Sequence, residues 1–261
     1  MVTRTARAPA TLQSFVLHRY DWSESSWILD LFTREQGRLA IAAKGVKRPY
    51  SQLRSVLLPF QRLHVTLARG RARADDAAPP EVQTLRGAEW AGGAAMLTGA
   101  ALFAGFHCNE LLMKLLARHD PHPNLFDTYA QTLPLLAERD DASVQAALRA
   151  FELVLLKEVG VLPDLSLVTQ TQRPVGEHDR MALLPELGVA TAPDGEPGLR
   201  GGVLIGLQAA LDHGSAAALR QACAVALPEL KTVLRTLLHY HLGMPTMRTR
   251  QVMIDLQTLN P

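Results

Sequence analysis

The hydrophobic period of this chain changes near residue 87, and that change confines it to an α+β, two-domain architecture. Before that point five short segments, Ser14–His18, Trp27–Phe32, Arg38–Ala43, Arg62–Ala68 and Glu81–Leu85, are separated by polar or glycine-containing joints. In Leu63-His-Val-Thr-Leu the apolar residues alternate with His64 and Thr66, which is the period of a strand with one buried face. Five such strands predict a small antiparallel β-barrel over residues 1–87, with Ser51–Leu58 as a short helix plugging one end. Phe15, Trp27, Phe32 and Phe60 fall inside strand patterns and are expected in the core. Gly70–Pro80, rich in Arg, Ala, Asp and Pro, reads as a mobile hairpin loop.

Residues 88–261 are Ala/Leu-rich and predict a mainly helical domain. Ala88 to Arg118 forms one long helical pattern, weakened at Gly92, Gly93 and Gly99. Asn124 is placed to cap a helix running toward Arg139, with Pro134 kinking or splitting it. Ser143 begins the next, and Gly160 ends it with Pro163 beyond. Its residues Leu148, Phe151, Leu155 and Val159 lie three or four apart and form one buried stripe, so Arg149 is expected at the edge or surface of the helix. An irregular interval follows at about 163–202, where local disorder is an open alternative. Ser215 opens the final helical region, Pro228 sits at a helix start, and Gly243 with Pro245 closes it.

Charge is distributed unevenly over this framework. Between Arg34 and Arg73 there are ten basic side chains (Arg34, Arg38, Lys44, Lys47, Arg48, Arg54, Arg62, Arg69, Arg71 and Arg73) against one acid, Glu35. Residues 1–87 carry fourteen Lys/Arg and seven Asp/Glu and the remainder thirteen and eighteen, so the halves are about +7 and −5 although the whole is +2. A cationic segment coupled to a mildly acidic remainder points to a polyanion held at one end. A solvated face that serves only solubility is the alternative.

Motifs for catalysis are missing. The chain has no G-x-x-x-x-G-K-[ST], no G-x-G-x-x-G after a strand and no G-x-S-x-G, so nucleotide hydrolysis, dinucleotide chemistry and serine hydrolysis lose their usual support, and the chain is expected not to be an enzyme. His119/His122 and His239/His241 are pairs without a third ligand at helical spacing, whereas a catalytic zinc needs three protein ligands. His107 and Cys108 are adjacent on a helix, about 100° apart, and cannot face each other as base and nucleophile. Cys108 and Cys223, the two cysteines, sit in apolar helical patterns and are expected to be buried thiols in a reducing compartment. No apolar run approaches the ~20 residues that span a bilayer, so a cytoplasmic protein without membrane contact is expected. Neither cofactor nor metal is expected.

Binding is what remains. Phosphates need surface cations, and single strands add stacking on aromatic faces. Tyr20, Trp22 and Tyr50 interleave with the basic residues, and Tyr50, following Lys44-Gly-Val-Lys-Arg-Pro in an exposed connection, is a candidate for base contact. The candidate nucleic-acid site is therefore Arg34, Arg38, Lys44, Lys47, Arg48, Tyr50, Arg54, Arg69, Arg71 and Arg73.

In order along the chain, Phe15-Val-Leu-His, Ser23-Glu-Ser-Ser, Leu29-Asp-Leu-Phe-Thr, Gly37-Arg-Leu, Ala43-Lys-Gly and Leu58-Pro-Phe resemble the N-terminal barrel of the RecO family of bacterial recombination and repair proteins. The resemblance continues through Asn109-Glu-Leu-Leu, Leu125-Phe-Asp, Leu148-Arg-Ala-Phe-Glu-Leu, Glu158-Val-Gly, Leu242-Gly and Arg248-Thr-Arg, from about residue 12 to about residue 255. It implies an oligonucleotide-binding (OB) fold followed by a helical domain. It implies binding of single- and double-stranded DNA and annealing of complementary strands. It also implies partnership with RecR in loading RecA onto DNA coated by single-strand-binding protein (SSB), and contact of the helical domain with the acidic C-terminal tail of SSB. By the same likeness Lys44, Lys47 and Arg48 would be DNA contacts and Arg149 would help hold the tail, the alternative for Arg149 being a helix-surface charge paired with Glu152. Some members carry a four-cysteine zinc motif after the Pro-Asp-Leu element. Here Pro163-Asp-Leu-Ser-Leu-Val-Thr-Gln-Thr-Gln has no cysteine, so structural zinc is not expected. A general single-stranded nucleic-acid adaptor, RNA included, is the other reading of such a barrel.

Overall fold

The fold is taken from a computed structural model, which describes residues 11–68, 81–93, 96–193, 198–243, 247–249 and 251–252. Two compact units divide the chain: residues 1–96 with 116–126, and residues 97–115 with 127–261.

The first unit is a closed five-stranded barrel of order β1-β2-β3-β5-β4, formed by β1 (Thr11–Asp21), β2 (Trp27–Thr33), β3 (Gly37–Ala43), β4 (Arg62–Leu67) and β5 (Val82–Trp90). All pairings are antiparallel except β3 with β5. The long β1 pairs with both β2 and β4, and an irregularity between Val16 and His18 gives the extra bend that closure requires. Alternation works as the sequence suggests. Leu12, Val16, Leu29, Leu31, Leu39, Ile41, Leu63 and Val65 fill the interior. The short helix α1 (Leu53–Val56) packs Leu53 and Val56 against that core, and Leu57 just beyond it is fully buried. The plug expected at Ser51–Leu58 is thus present. Removing such a fully buried leucine side chain costs roughly 2–5 kcal/mol.

The outer face of β1 to β3 is covered by residues 116–126, which sequence periodicity had assigned wholly to the helical half. Phe126 meets Phe15 at 5.2 Å and Phe32 at 5.4 Å between ring centroids. The His119 amide donates to the Arg38 carbonyl at 3.0 Å. Gly37 permits this approach: it has φ +68°, and a Cβ there would stand 1.9 Å from the Asp120 carbonyl oxygen, so no other residue fits the turn.

The second unit holds α2 (Gly99–Leu115), α3 from Asp127 onward within Pro123–Leu135, α4 (Asp141–Glu158), α5 (Gly201–His213), α6 (Ala216–Ala224) and α7 (Leu227–Leu242). The single pattern read over Ala88–Arg118 resolves differently: β5 continues to Trp90, and α2 starts only at Gly99. Asp140 caps α4, accepting from the Ser143 amide at 3.0 Å. That start is earlier than the Ser143 read from the sequence. Ser215 caps α6, Pro228 lies in the first turn of α7, and Gly243 ends α7 in the left-handed conformation, these three as the sequence predicts. The interval at 163–202 is more regular than expected. It forms a three-stranded sheet, β7-β6-β8, from β6 (Arg180–Leu184), β7 (Gly188–Thr191) and β8 (Leu199–Arg200). Asp179 ties its entry, accepting from the Gly176 amide and from Arg173.

Candidate nucleic-acid interface

Strand direction decides which charges gather. Asp21, Trp27, Ala43, Arg62 and Trp90 terminate their strands at the same end of the barrel, because β1, β3 and β5 run toward it and β2 and β4 away from it. Two connections are built there: the turn 22–26 and the segment 44–61. They are joined by the Lys47 amide, which donates to the Ser25 carbonyl at 3.1 Å.

Lys44, Arg48 and Arg54 are exposed on the second connection. Arg48 follows a tight turn in which its amide donates to the Gly45 carbonyl at 3.1 Å, and the Ser51 amide donates to the Arg48 carbonyl at 3.0 Å. Tyr50 crowns this turn and is 98% exposed. Among the described residues nothing uses its ring. Arg19, outside the basic run and so missed from the sequence, reaches the same end and lies 4.6 Å from the Trp27 ring centroid.

Other candidate cations are committed elsewhere. Arg38 directs a two-toothed fork at Asp30, Nε to Oδ1 at 2.9 Å and Nη2 to Oδ2 at 3.0 Å, and donates from Nη1 to the Leu116 carbonyl at 2.9 Å. Arg118 adds a second cation to Asp30 at 3.3 Å. Lys47 is half-buried, with its ammonium 2.6 Å from the Asp21 carboxylate and 2.9 Å from the Ser23 carbonyl. That hydrogen bond and the charge of Lys47 hold the Asp21 carboxyl below the usual aspartate range. Arg34 follows β2, at the opposite end of the barrel, where its amide donates to the Gln13 carbonyl. Arg69, Arg71 and Arg73, and the loop read over Gly70–Pro80, lie outside the described residues.

Trp22 was not singled out as a contact from sequence. It stands on the turn 22–26 with 71% of its surface exposed, whereas Phe15, Trp27, Phe32 and Phe60 are buried as expected. The available signal was a tryptophan inside the polar run Asp21-Trp-Ser-Glu-Ser-Ser, where neither strand face could bury it.

Arg149 corrects the expectation of a surface position. It is buried, 7% exposed, with Nη2 2.9 Å from Glu152 Oε1. The same carboxylate oxygen lies 2.9 Å from His107 Nε2. Helix α4 is enclosed by α2, α6 and α7, so Ala146 to Leu153 are buried all round and one step from the apolar stripe is still interior. Among the described residues Arg149 Nε and Glu152 Oε2 have no hydrogen-bond partner. Cys108 and Cys223 are free and buried; burial raises both thiols, that of Cys223 to about 12.

Among the described residues no group of three His, Cys, Asp or Glu side chains could hold a metal, and no helix is long and apolar enough to cross a membrane. The barrel with its basic and aromatic end is of the OB type, a class whose open loops and strands take oligonucleotides. Family comparison agrees with it. Residues 9–74 match the model described as Recombination protein O N terminal, and residues 96–250 match Recombination protein O C terminal. A protein named DNA repair protein RecO from Polaromonas naphthalenivorans (strain CJ2) is 50% identical over 248 residues, covering 94% of this chain and 96% of its own. A protein of the same name from Verminephrobacter eiseniae (strain EF01-2) is 48% identical over 259 residues, covering 97% and 99%. The chain belongs to the RecO family of DNA repair proteins.

Proposed function

We propose that this protein is a recombination mediator that binds DNA at the loop-bearing end of its barrel, anneals complementary strands and helps to load RecA onto SSB-coated single-stranded DNA. The observation that carries the reading is the set Lys44, Arg48 and Arg54, exposed without ion pairs among the described residues beside the exposed Tyr50 ring. Phosphates supply the counter-charge such a surface lacks, and release of their condensed cations drives association. Annealing needs two strands brought together with their bases accessible, which a surface holding phosphates by charge allows. Catalysis of bond breaking is no part of the activity. RecR and the acidic tail of SSB are the protein partners, and the tail contact belongs to the helical unit; Arg149, buried against Glu152, is left out of it. The buried thiols of Cys108 and Cys223 suit the reducing cytoplasm.

Annealing of complementary oligonucleotides, bare and coated with SSB, tests this directly. Acceleration on both substrates is expected. Acceleration confined to bare strands would leave a general single-stranded nucleic-acid adaptor, and no acceleration on either would contradict the mediator reading.

A further inference from the structure

We propose that Trp22 is a base-stacking residue that gives the barrel its grip on single strands, and that Lys47 is the residue that positions it. This rests on DNA binding at the same barrel end. Trp22 is the most exposed of the three tryptophans of the chain. Its turn is nevertheless built with care. The Trp22 and Ser23 amides both donate to the Ser26 carbonyl, at 3.2 and 3.3 Å. Lys47 closes the turn from outside by bonding the Ser23 carbonyl and the Asp21 carboxylate, while its own amide bonds Ser25. Three contacts from one residue hold a segment whose own large apolar side chain stands mostly in solvent.

The charge of the turn selects the occupant. Asp21 borders it and Glu24 lies on it, both exposed, so a phosphate would be repelled there, and Lys47 spends its charge on Asp21. The uncharged π-face of a base is not repelled. Phosphates are held instead by Lys44, Arg48 and Arg54 on the neighbouring connection, where Tyr50 offers a second exposed ring. A duplex keeps its bases stacked inside and gives Trp22 nothing to pair with, whereas a single strand does. Single-strand preference is thereby assigned to Trp22, and affinity common to both forms to the cations.

The test measures affinity for oligothymidylate and for a duplex of equal length, with tryptophan fluorescence recorded alongside, for the full chain and for W22A, W22F, W90F and K47M. Trp22→Ala is expected to weaken oligothymidylate binding about tenfold or more and to change duplex affinity less than about twofold. Trp22→Phe should recover most of the affinity, because a phenyl ring still stacks. Fluorescence quenching by oligothymidylate should vanish in W22F and persist in W90F. Lys47→Met should reduce single-strand affinity and quenching while keeping the wild-type salt slope, since a positioning residue releases no counterion. A slope shallower by about 0.7 would make Lys47 a phosphate contact and overturn its positioning role. Salt-dependent binding of wild type with W22A unaffected would overturn the stacking assignment alone. No binding of either DNA form by wild type would overturn both the stacking and the DNA-binding reading beneath it.

Discussion

The loop-bearing end of the barrel and the centre of the helical unit both bring basic side chains and carboxylates together, with opposite results. Around α4, the buried Arg149 guanidinium and the part-buried His107 ring both meet one Glu152 carboxylate oxygen. At the barrel end Lys47 is paired with Asp21, while Lys44, Arg48 and Arg54 stay exposed, without ion pairs among the described residues. The difference teaches that a basic residue is available to a ligand only when the fold has no internal use for it. Buried ion pairs recover little net energy once desolvation is counted, but breaking one leaves an uncompensated charge. Exposed cations cost almost nothing to keep and are free to meet a ligand.

Breaking the buried member should give the largest change in stability. Arg149→Met is expected to destabilise by about 3–5 kcal/mol, read by denaturant unfolding, with duplex DNA affinity of the folded protein unchanged. Replacing both partners, R149M with E152M, should restore most of that loss. If R149M were as stable as wild type, the comparison between the two regions would collapse.

Gly37→Ala comes next. Its positive φ and the 1.9 Å approach to the Asp120 oxygen predict a loss of roughly 2–3 kcal/mol. Near-wild-type thermal unfolding would show that residues 116–126 do not hold to the barrel as described.

A smaller effect is expected at Glu110, the carboxylate that anchors the end of the helical unit. It accepts from the Arg248 and Thr249 amides at 2.9 Å each and from the Thr249 hydroxyl at 2.7 Å, and pairs with Lys114 at 3.1 Å. Burial pushes its carboxyl up, but the Thr249 and Arg248 amides, the Thr249 hydroxyl and Lys114 outweigh burial and hold it below the usual glutamate range. A carboxyl depressed in the folded state contributes stability that is present above its unfolded pKa and lost as pH falls through the folded one. Glu110→Gln should therefore cost about 1–2 kcal/mol at neutral pH, and wild type and variant should converge as pH drops below the ordinary glutamate range. A difference independent of pH would remove the carboxylate from this role.

Much of this was legible in the chain. Period-two alternation gave the barrel strands, and Ser215, Pro228 and Gly243 marked helix boundaries, because these signals are local. The three-stranded sheet at β6 to β8 was not, since strands of two to five residues carry too little period to count. Helix α5 (Gly201–His213) was missed, since the irregular interval was read to about residue 202 and the final helical region only from Ser215; the helix opens on Gly201-Gly202, which are poor helix formers. In the fold Gly201 is needed because a Cβ would lie 1.9 Å from the Gly176 carbonyl oxygen. At the proposed site the sequence could not separate the committed Arg38 and Lys47 from the exposed Lys44, Arg48 and Arg54. That distinction depends on Asp30 and Asp21, whose neighbours are set by strand register. Arg149 was misplaced for a related reason: a helix with one evident stripe proved to be packed on several sides.

The most direct test of the central claim is the salt dependence of DNA affinity for wild type and for the triple variant K44E/R48E/R54E. Wild type is expected to lose affinity on a log–log slope of about −4 to −5, as for ~6 neutralised phosphates. The variant should bind at least about a hundredfold more weakly at moderate salt, with a slope shallower by about 2 and an unchanged unfolding midpoint. Equal affinity and equal slope for the two proteins would contradict the assignment of DNA binding to this end of the barrel.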